Sequence, residues 1–197
     1  AVDNAVDAAI EKETGHKIFT ILQLRLHPAI IALKKQIDEA PAGTKHEVDL
    51  QYITSRGHWY HASWKGDIQK SGGIATNIGV HFFDMLIWIF GDVKESNVTQ
   101  HTDVTASGKL QLEKATVNWM LSIDVETLPA SVKTTGKRTY RTLTINKQAI
   151  EFSDGFTELH TKSYEEILNG NGFRISETIK AIELVHNIRN SKVYTKQ

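Results

Sequence analysis

Three polar side chains interrupt one of the most apolar stretches of the chain, SGGIATNIGVHFFDMLIWIFG, from Ser71 to Gly91. Asn77 and His81 stand four residues apart and Asp84 three further on, so on an α-helix all three share one stripe. Asparagine orients a hydroxyl or an amide, histidine moves a proton near neutral pH, and a carboxylate fixes the tautomer of a nearby imidazole. Such a stripe suits proton transfer at a substrate hydroxyl. The plainer alternative is a core histidine satisfied by Asp84 or by backbone, and spacing alone leaves both open.

A second group of candidates fills the loop TSRGHWYHASWKGD, Thr54 to Asp67. Loops of this length are functional or disordered, and the aromatic content argues against disorder. Aromatic faces stack on a sugar or base, and Arg56 and Lys65 can pair with a carboxylate or phosphate. Trp59 and Trp64 serve equally well as plugs of the core. His58 with His61, and His81 with Asp84, have spacings that one cation can bridge. Nine histidines in 197 residues give such pairs by chance, so no metal site is expected. GxSxG, Walker, HExxH and GxGxxG patterns are absent from the sequence.

The elements that must position these groups are legible in the hydrophobic periods. Glycines on both sides predict a single helix over 73–90, with Ile78, Phe82, Met85 and Ile89 on one flank and Val80, Phe83, Ile87 and Phe90 on the other, buried nearly all round. Val2, Val6, Ala9 and Ile10 recur at helical spacing before Gly15, and Ile18–Leu24 then reads as a buried strand, the pattern of a parallel α/β sheet. Pro28 opens a helix to about residue 40 with Ile30, Leu33 and Ile37 inward. From there the period changes to two. Val48, Leu50 and Tyr52 alternate with Glu47, Asp49 and Gln51, and a long strand follows over 115–125 with Thr116, Asn118, Met120 and Ser122 outward. Further strands are expected around 93–103, 108–113, 139–145 and 148–152, with turns at Ser107-Gly108 and Asn146-Lys147. A last helix begins near Arg174, with Ile175, Ile179, Ile182 and Val185 inward.

The expected fold class is therefore α/β (α+β): an open, mostly antiparallel mixed sheet with the helices at 28–40, 73–90 and 174–189 on one face. The other face, rich in Thr, Asn, Ser and Met, meets either water or another subunit. Lys plus Arg and Asp plus Glu are 23 each, and no basic run appears, which argues against nucleic acid and anionic lipid as partners. The absence of cysteine removes disulfides and thiolate chemistry and fits a cytoplasmic protein. No signal peptide is visible, and the longest apolar run, Met85–Phe90, is far below the ~18 residues of a membrane span.

The run GGIATNIGVHFFDMLIWIFG resembles the signature of the glucose-fructose oxidoreductase, inositol dehydrogenase and MocA (Gfo/Idh/MocA) family, a glycine pair followed by D-x-G-x-H-x-x-D. Here that segment reads Asn77-Ile78-Gly79-Val80-His81-Phe82-Phe83-Asp84. QLRLHPAIIALK, the RGHWYHASWKGD loop and the terminal GNGFRISETIKAIELVHNIR resemble the WlbA/WbpB-type branch, and the resemblance covers nearly the whole chain. It implies NAD-dependent oxidation of the C3 hydroxyl of UDP-N-acetylglucosaminuronate in surface-polysaccharide (O-antigen) synthesis. It implies His81 as a catalytic residue, with Asn77, Thr76, Arg56, Tyr60 and Lys65 on the UDP-sugar. On this reading residues 1–25 are the last helix and strand of a Rossmann domain that holds most of the NAD, and 26–197 form the substrate-binding domain. That domain makes a homodimer or homotetramer through its open sheet face. The glycine-rich loop and the Glu-Lys-Pro segment of the family would precede Ala1, so the polypeptide is expected to be inactive alone. Asn77 departs from the family's first Asp and cannot act as a base. The alternative is a non-enzymatic module of the same fold that binds sugar nucleotides or assembles with partners.

Overall fold

Two long strands with period-two burial, His46–Thr54 (β1) and Ala115–Ser122 (β4), lie parallel at the centre of a six-stranded sheet. Val93–His101 (β2), Thr105–Leu112 (β3), Thr139–Ile145 (β5) and Gln148–Ala149 (β6) complete the order β2-β3-β4-β1-β5-β6, and every pairing except β1 with β4 is antiparallel. These strands belong to the computed structural model of the chain, which describes residues 4–150, 158–191 and 193. The last positions of the strand expected over 148–152, and Val2 of the first helix, lie outside them. Asn146 and Lys147 both adopt positive φ (50° and 69°), as a two-residue hairpin between right-twisted strands requires.

Ser107-Gly108 is not a turn but the middle of β3. Its glycine marks a close approach instead: a Cβ on Gly108 would lie 2.3 Å from the Asn97 carbonyl and 2.9 Å from the Trp119 ring. The chain reverses at 102–104, where the Thr102 hydroxyl accepts from the amides of Val104 and Thr105.

One face of the sheet, carrying Val48, Leu50, Ala106, Leu110, Val117, Trp119, Leu121 and Leu143, is sealed from solvent. The covering helix is Val80–Phe90 (α5), whose Phe83, Met85, Leu86, Ile89 and Phe90 are fully or almost fully buried. Phe83 meets Trp119 edge-on at 5.1 Å. Pro28–Glu39 (α2) and Ile175–Arg189 (α8) flank α5. His27 caps α2 by accepting from the Ala29 amide, and Pro28 fills the first helical position, where a missing N–H costs nothing. On α8 the buried stripe runs through Ile175, Thr178, Ala181, Leu184, Val185 and Ile188, so Ile179 and Ile182 sit at its margin. The segment 68–90 is long and apolar enough to cross a membrane by composition, yet its most apolar window is two-thirds buried in this fold.

Asn4–Thr14 (α1) packs against α8 through Glu11, which pairs with Arg174 at 2.9 Å and accepts from the Ile18 amide. The strand expected at Ile18–Leu24 is not formed. Residues 18–20 make one isolated bridge to Arg174, and Gln23–Leu26 close into a 3-10 turn. A buried strand needs neighbours on a ladder, and no described strand runs beside this one. The backbone pairs instead with 173–175. Leu22 and Leu24 are nonetheless buried, as the apolar run requires. After the short helix Ala130–Lys133 (α6), Leu159–Leu168 (α7), which the sequence does not announce, packs on that 3-10 turn with Leu159 fully buried.

Candidate active site

The helix expected over 73–90 forms, with one π-helical turn near its start, and a separate short helix precedes it. A short helix, Ile68–Ser71 (α4), ends at two left-handed glycines, Gly72 and Gly73 (φ 76° and 78°), and one π-helical turn over Ala75–Gly79 feeds α5. Thr76 donates from its hydroxyl to the Gly72 carbonyl at 2.9 Å within that turn. Gly79 is required by packing, because a Cβ there would lie 2.7 Å from Phe83 and 2.8 Å from Leu121. The turn therefore sits against the C-terminal end of β4, and β1, parallel to β4, ends on the same side. Widened turns of this kind concentrate at functional sites.

Asn77 and Tyr60 meet directly. Tyr60 is buried in the short helix His58–Ala62 (α3), and its hydroxyl accepts from the Asn77 amide at 3.0 Å. That bond fixes the side-chain amide and leaves its carbonyl oxygen available to a ligand hydroxyl. His81, one turn on, is half-buried, and no described residue gives its imidazole a hydrogen bond. Burial, reinforced by the nearby His160 of α7, holds its pKa below the ordinary 6.5. The imidazole is thus neutral at neutral pH and able to accept a proton.

Asp84 is not the residue that orients His81. Its two carboxylate oxygens take Arg25 as a fork, Nη2 at 2.6 Å and Nε at 2.9 Å, with both side chains buried (2% and 6% exposed). Arg25 continues to Glu177 of α8 at 3.0 Å and lies over the rings of Phe173 and Trp88. Burial lifts the Asp84 carboxyl above its usual range although Arg25 pulls it down. The stripe foreseen on one helix is therefore divided: Asn77 is held by Tyr60 and His81 has no hydrogen bond among the described residues, whereas Asp84 clamps the 3-10 turn to α5.

Arg56 follows the end of β1, and its Nε is buried without a partner. Lys65 stands with Nζ 5.9 Å from the Trp64 ring centre. Trp59 and Trp64 are 57% and 56% exposed, which removes the reading of them as core plugs. Two further residues, unmarked in the sequence, belong to this end of the sheet. Tyr52 packs its ring on Phe82 at 4.8 Å, and the Arg141 guanidinium lies over Tyr52 at 5.0 Å. Only the register of β1 against β5, which sets Tyr52 opposite Arg141, brings them together.

On the opposite face, Asp49 accepts from Asn118 at 2.9 Å and Gln111 from Thr116 at 2.8 Å, and Met120 is half-buried. Ser122, expected to share that open face, is fully buried. It bonds Thr105 at 2.9 Å and the Val104 carbonyl at 3.1 Å, because the turn at Val125–Thr127 packs across this end of β1.

Comparison with known proteins places this geometry. Residues 34–122 match a family model described as oxidoreductase family, C-terminal alpha/beta domain. The WlbA (WbpB) dehydrogenase of Thermus thermophilus, solved with NAD and alpha-ketoglutarate, is 42% identical over 98% of this chain, with a TM-score of 0.92. The same enzyme solved with NAD and UDP-GlcNAcA gives 41% over 98% and 0.91. The chain spans 62% of the length of both. The WlbA dehydrogenase of Bordetella pertussis, solved with NADH and UDP-GlcNAcA, shares the fold at 17% identity, with a TM-score of 0.74 over 94% of this chain and 64% of its own.

Proposed function

We propose that the chain, which carries the C-terminal α/β domain of the Gfo/Idh/MocA oxidoreductase family, belongs to a whole protein that is an NAD-dependent dehydrogenase acting on the C3 hydroxyl of UDP-N-acetylglucosaminuronate. The observation that carries this reading is the neutral, half-buried His81 beside an Asn77 held by Tyr60, on a chain 41% identical to an enzyme solved with that sugar nucleotide. His81 takes the hydroxyl proton, Asn77 orients the ring, and Arg56 meets an anionic group of the substrate. The 3-keto product suits a following transamination in surface-polysaccharide synthesis.

The cofactor's pyrophosphate does not fit the Gly72-Gly73 turn, the glycine pair among the described residues. A phosphate cradle offers free backbone amides at a glycine turn. The Gly72 amide is given to the Ile68 carbonyl and the Gly73 amide to the Ser71 hydroxyl. A Cβ on Gly72 would meet Thr76 at 2.6 Å, so the space beside it is filled. NAD is then held mainly by a Rossmann domain, to which residues 1–25 contribute the last helix. The 197 residues alone form no NADH. The test is to assay the whole protein with NAD and UDP-N-acetylglucosaminuronate: NADH and a trapped 3-keto sugar are expected, and no turnover would overturn the reading.

The open face of the sheet assembles the enzyme as a dimer or tetramer. Its central side chains are polar and paired with one another, Asp49 with Asn118 and Gln111 with Thr116, and Lys109 stands opposite Asn118 in the register, so a second copy meets mostly satisfied groups with charges of both signs. Sedimentation of the whole protein should give a dimer or larger. Met120→Lys, which sets an ammonium at the centre of the face, should shift it to smaller species without unfolding it. A monomer for the parent at high concentration would count against this role.

A further inference from the structure

Tyr60 is 4% exposed, and its hydroxyl has one partner among the described residues, the Asn77 side-chain amide at 3.0 Å. An amide nitrogen only donates, so the phenol oxygen accepts and its own hydrogen is left over. Buried donors are paired in folded proteins, and one without a protein partner calls for a ligand or a water. A carboxylate at position 77 would do the reverse, since it only accepts and would draw the phenol hydrogen onto itself. Asparagine at 77 therefore leaves Tyr60 free to donate elsewhere. The phenol is also held by a unit with little room to move. Ser63 gives its amide (3.2 Å) and its hydroxyl (2.8 Å) to the Tyr60 carbonyl. Gly66 closes the turn on the same backbone: a Cβ there would lie 2.8 Å from the Tyr60 carbonyl oxygen and 2.6 Å from the His61 Cα. The Trp59 ring stands edge-on to Tyr60 at 5.8 Å, and Asp67 caps α4 directly after the turn by accepting from the Gln69 and Lys70 amides.

Through Asn77 the phenol reaches the stretch of helix that carries His81. Asn77 and His81 are four residues apart on that helix and both half-buried, so an oxygen within hydrogen-bond reach of the imidazole also lies near the phenol. As a substrate hydroxyl gives its proton to His81, its oxygen takes on negative charge, and a fixed donor stabilises that charge without reorganising. We propose that Tyr60 is a second catalytic residue, whose O–H donates to the reacting oxygen while His81 takes the proton, with Asn77 setting the direction of that donation. The phenol proton is shared and not transferred, so Tyr60 adds nothing to the atom balance of the oxidation. The inference rests on the dehydrogenase reading above and gives Tyr60 a part in the chemistry beyond holding Asn77.

Steady-state kinetics of the whole protein on the sugar nucleotide test it with Tyr60→Phe, Asn77→Asp and the two together. Tyr60→Phe should lower kcat by about 100- to 1,000-fold, the usual cost of one lost donor at a developing oxyanion, and change KM little. Asn77→Asp should lower kcat to a similar degree, because its carboxylate takes the phenol hydrogen. The double variant should be about as slow as Tyr60→Phe alone, since both changes remove the same donation. The acid limb of the pH profile, set by His81, should stay in place in Tyr60→Phe, which separates a lost donor from a displaced histidine. A further measurement needs no turnover: in nuclear magnetic resonance spectra of the 197-residue chain, the Asn77 side-chain amide should shift and exchange faster with water in Tyr60→Phe. A Tyr60→Phe kcat within a few fold of the parent would overturn the inference and leave the dehydrogenase reading standing. So would a loss seen in KM alone, which puts the phenol on a non-reacting atom. Asn77→Asp turnover close to the parent would overturn it too, since the bond would then run from Tyr60 to position 77. An Asn77 amide unchanged by Tyr60→Phe would overturn it whatever the turnover. No turnover by the parent would remove the dehydrogenase reading, and the part of Tyr60 in it.

Discussion

His81→Asn in the whole enzyme should lower turnover by ~100- to 10,000-fold, the usual contribution of a positioned acid-base group, with a far smaller change in substrate affinity. Asparagine keeps a polar side chain of similar reach but accepts no proton at neutral pH. Loss confined to turnover marks a contact that matters only as the proton moves, whereas Arg56→Ala should raise KM, because a substrate anion keeps its charge through hydride transfer. The pH profile supplies an independent check. Burial and His160 depress the His81 pKa below 6.5, and the neutral form is the one that accepts a proton. Activity should therefore persist below pH 6.5 and fall only as pH drops through the depressed value. Folding has the same sign: the unfolded chain takes up this proton first, so His81 costs stability as pH falls below 6.5. An acid limb above pH 6.5, or His81→Asn turnover within a few fold of the parent, would return His81 to a core role.

The sheet was legible because its signal is local. Val48 and Leu50 alternate with Glu47 and Asp49, and Asn146-Lys147 has the chemistry of a two-residue hairpin. The same habit of local reading made Ser107-Gly108 a turn, when the glycine is there for the Asn97 carbonyl and the Trp119 ring on neighbouring strands. Ile18–Leu24 has the composition of a buried strand, but a strand exists only with a partner, and here the partner is the 173–175 segment over a single bridge. In the site, Asn77 and His81 could be proposed from polar residues in an apolar run. Arg25 could not, since its partner Asp84 is 59 residues away, and Arg141 needs the β1–β5 register to reach Tyr52. Asp84 looked like His81's companion because helix spacing is visible in sequence and an ion pair across elements is not.

Asp84→Ala should destabilise the fold by ~3–5 kcal/mol, the cost of leaving a buried charge without its partner. Arg25 is 6% exposed and would keep only Glu177, whose carboxylate is 41% exposed and partly hydrated. In a chain of this size such a loss lowers the melting temperature by roughly 10 °C. The pair itself should add little net stability. Burial raises the Asp84 pKa even though Arg25 lies 2.6 Å away, so desolvation outweighs the attraction. A carboxyl with a raised pKa contributes most below its ordinary 3.8, and that share fades as pH rises through the folded value. Replacing both partners by apolar residues of similar volume, Arg25→Met with Asp84→Leu, should therefore recover most of what Asp84→Ala loses. Glu177 then turns to solvent at little cost. The recovered protein should still turn over poorly, because the fork, and not its energy, sets the 3-10 turn against α5 one turn from His81. Calorimetric unfolding of the parent, the single and the double variant, beside their turnover, decides the matter. A double variant as unstable as Asp84→Ala would show that the ion pair holds the fold, and one with full turnover would show that it does not hold the site.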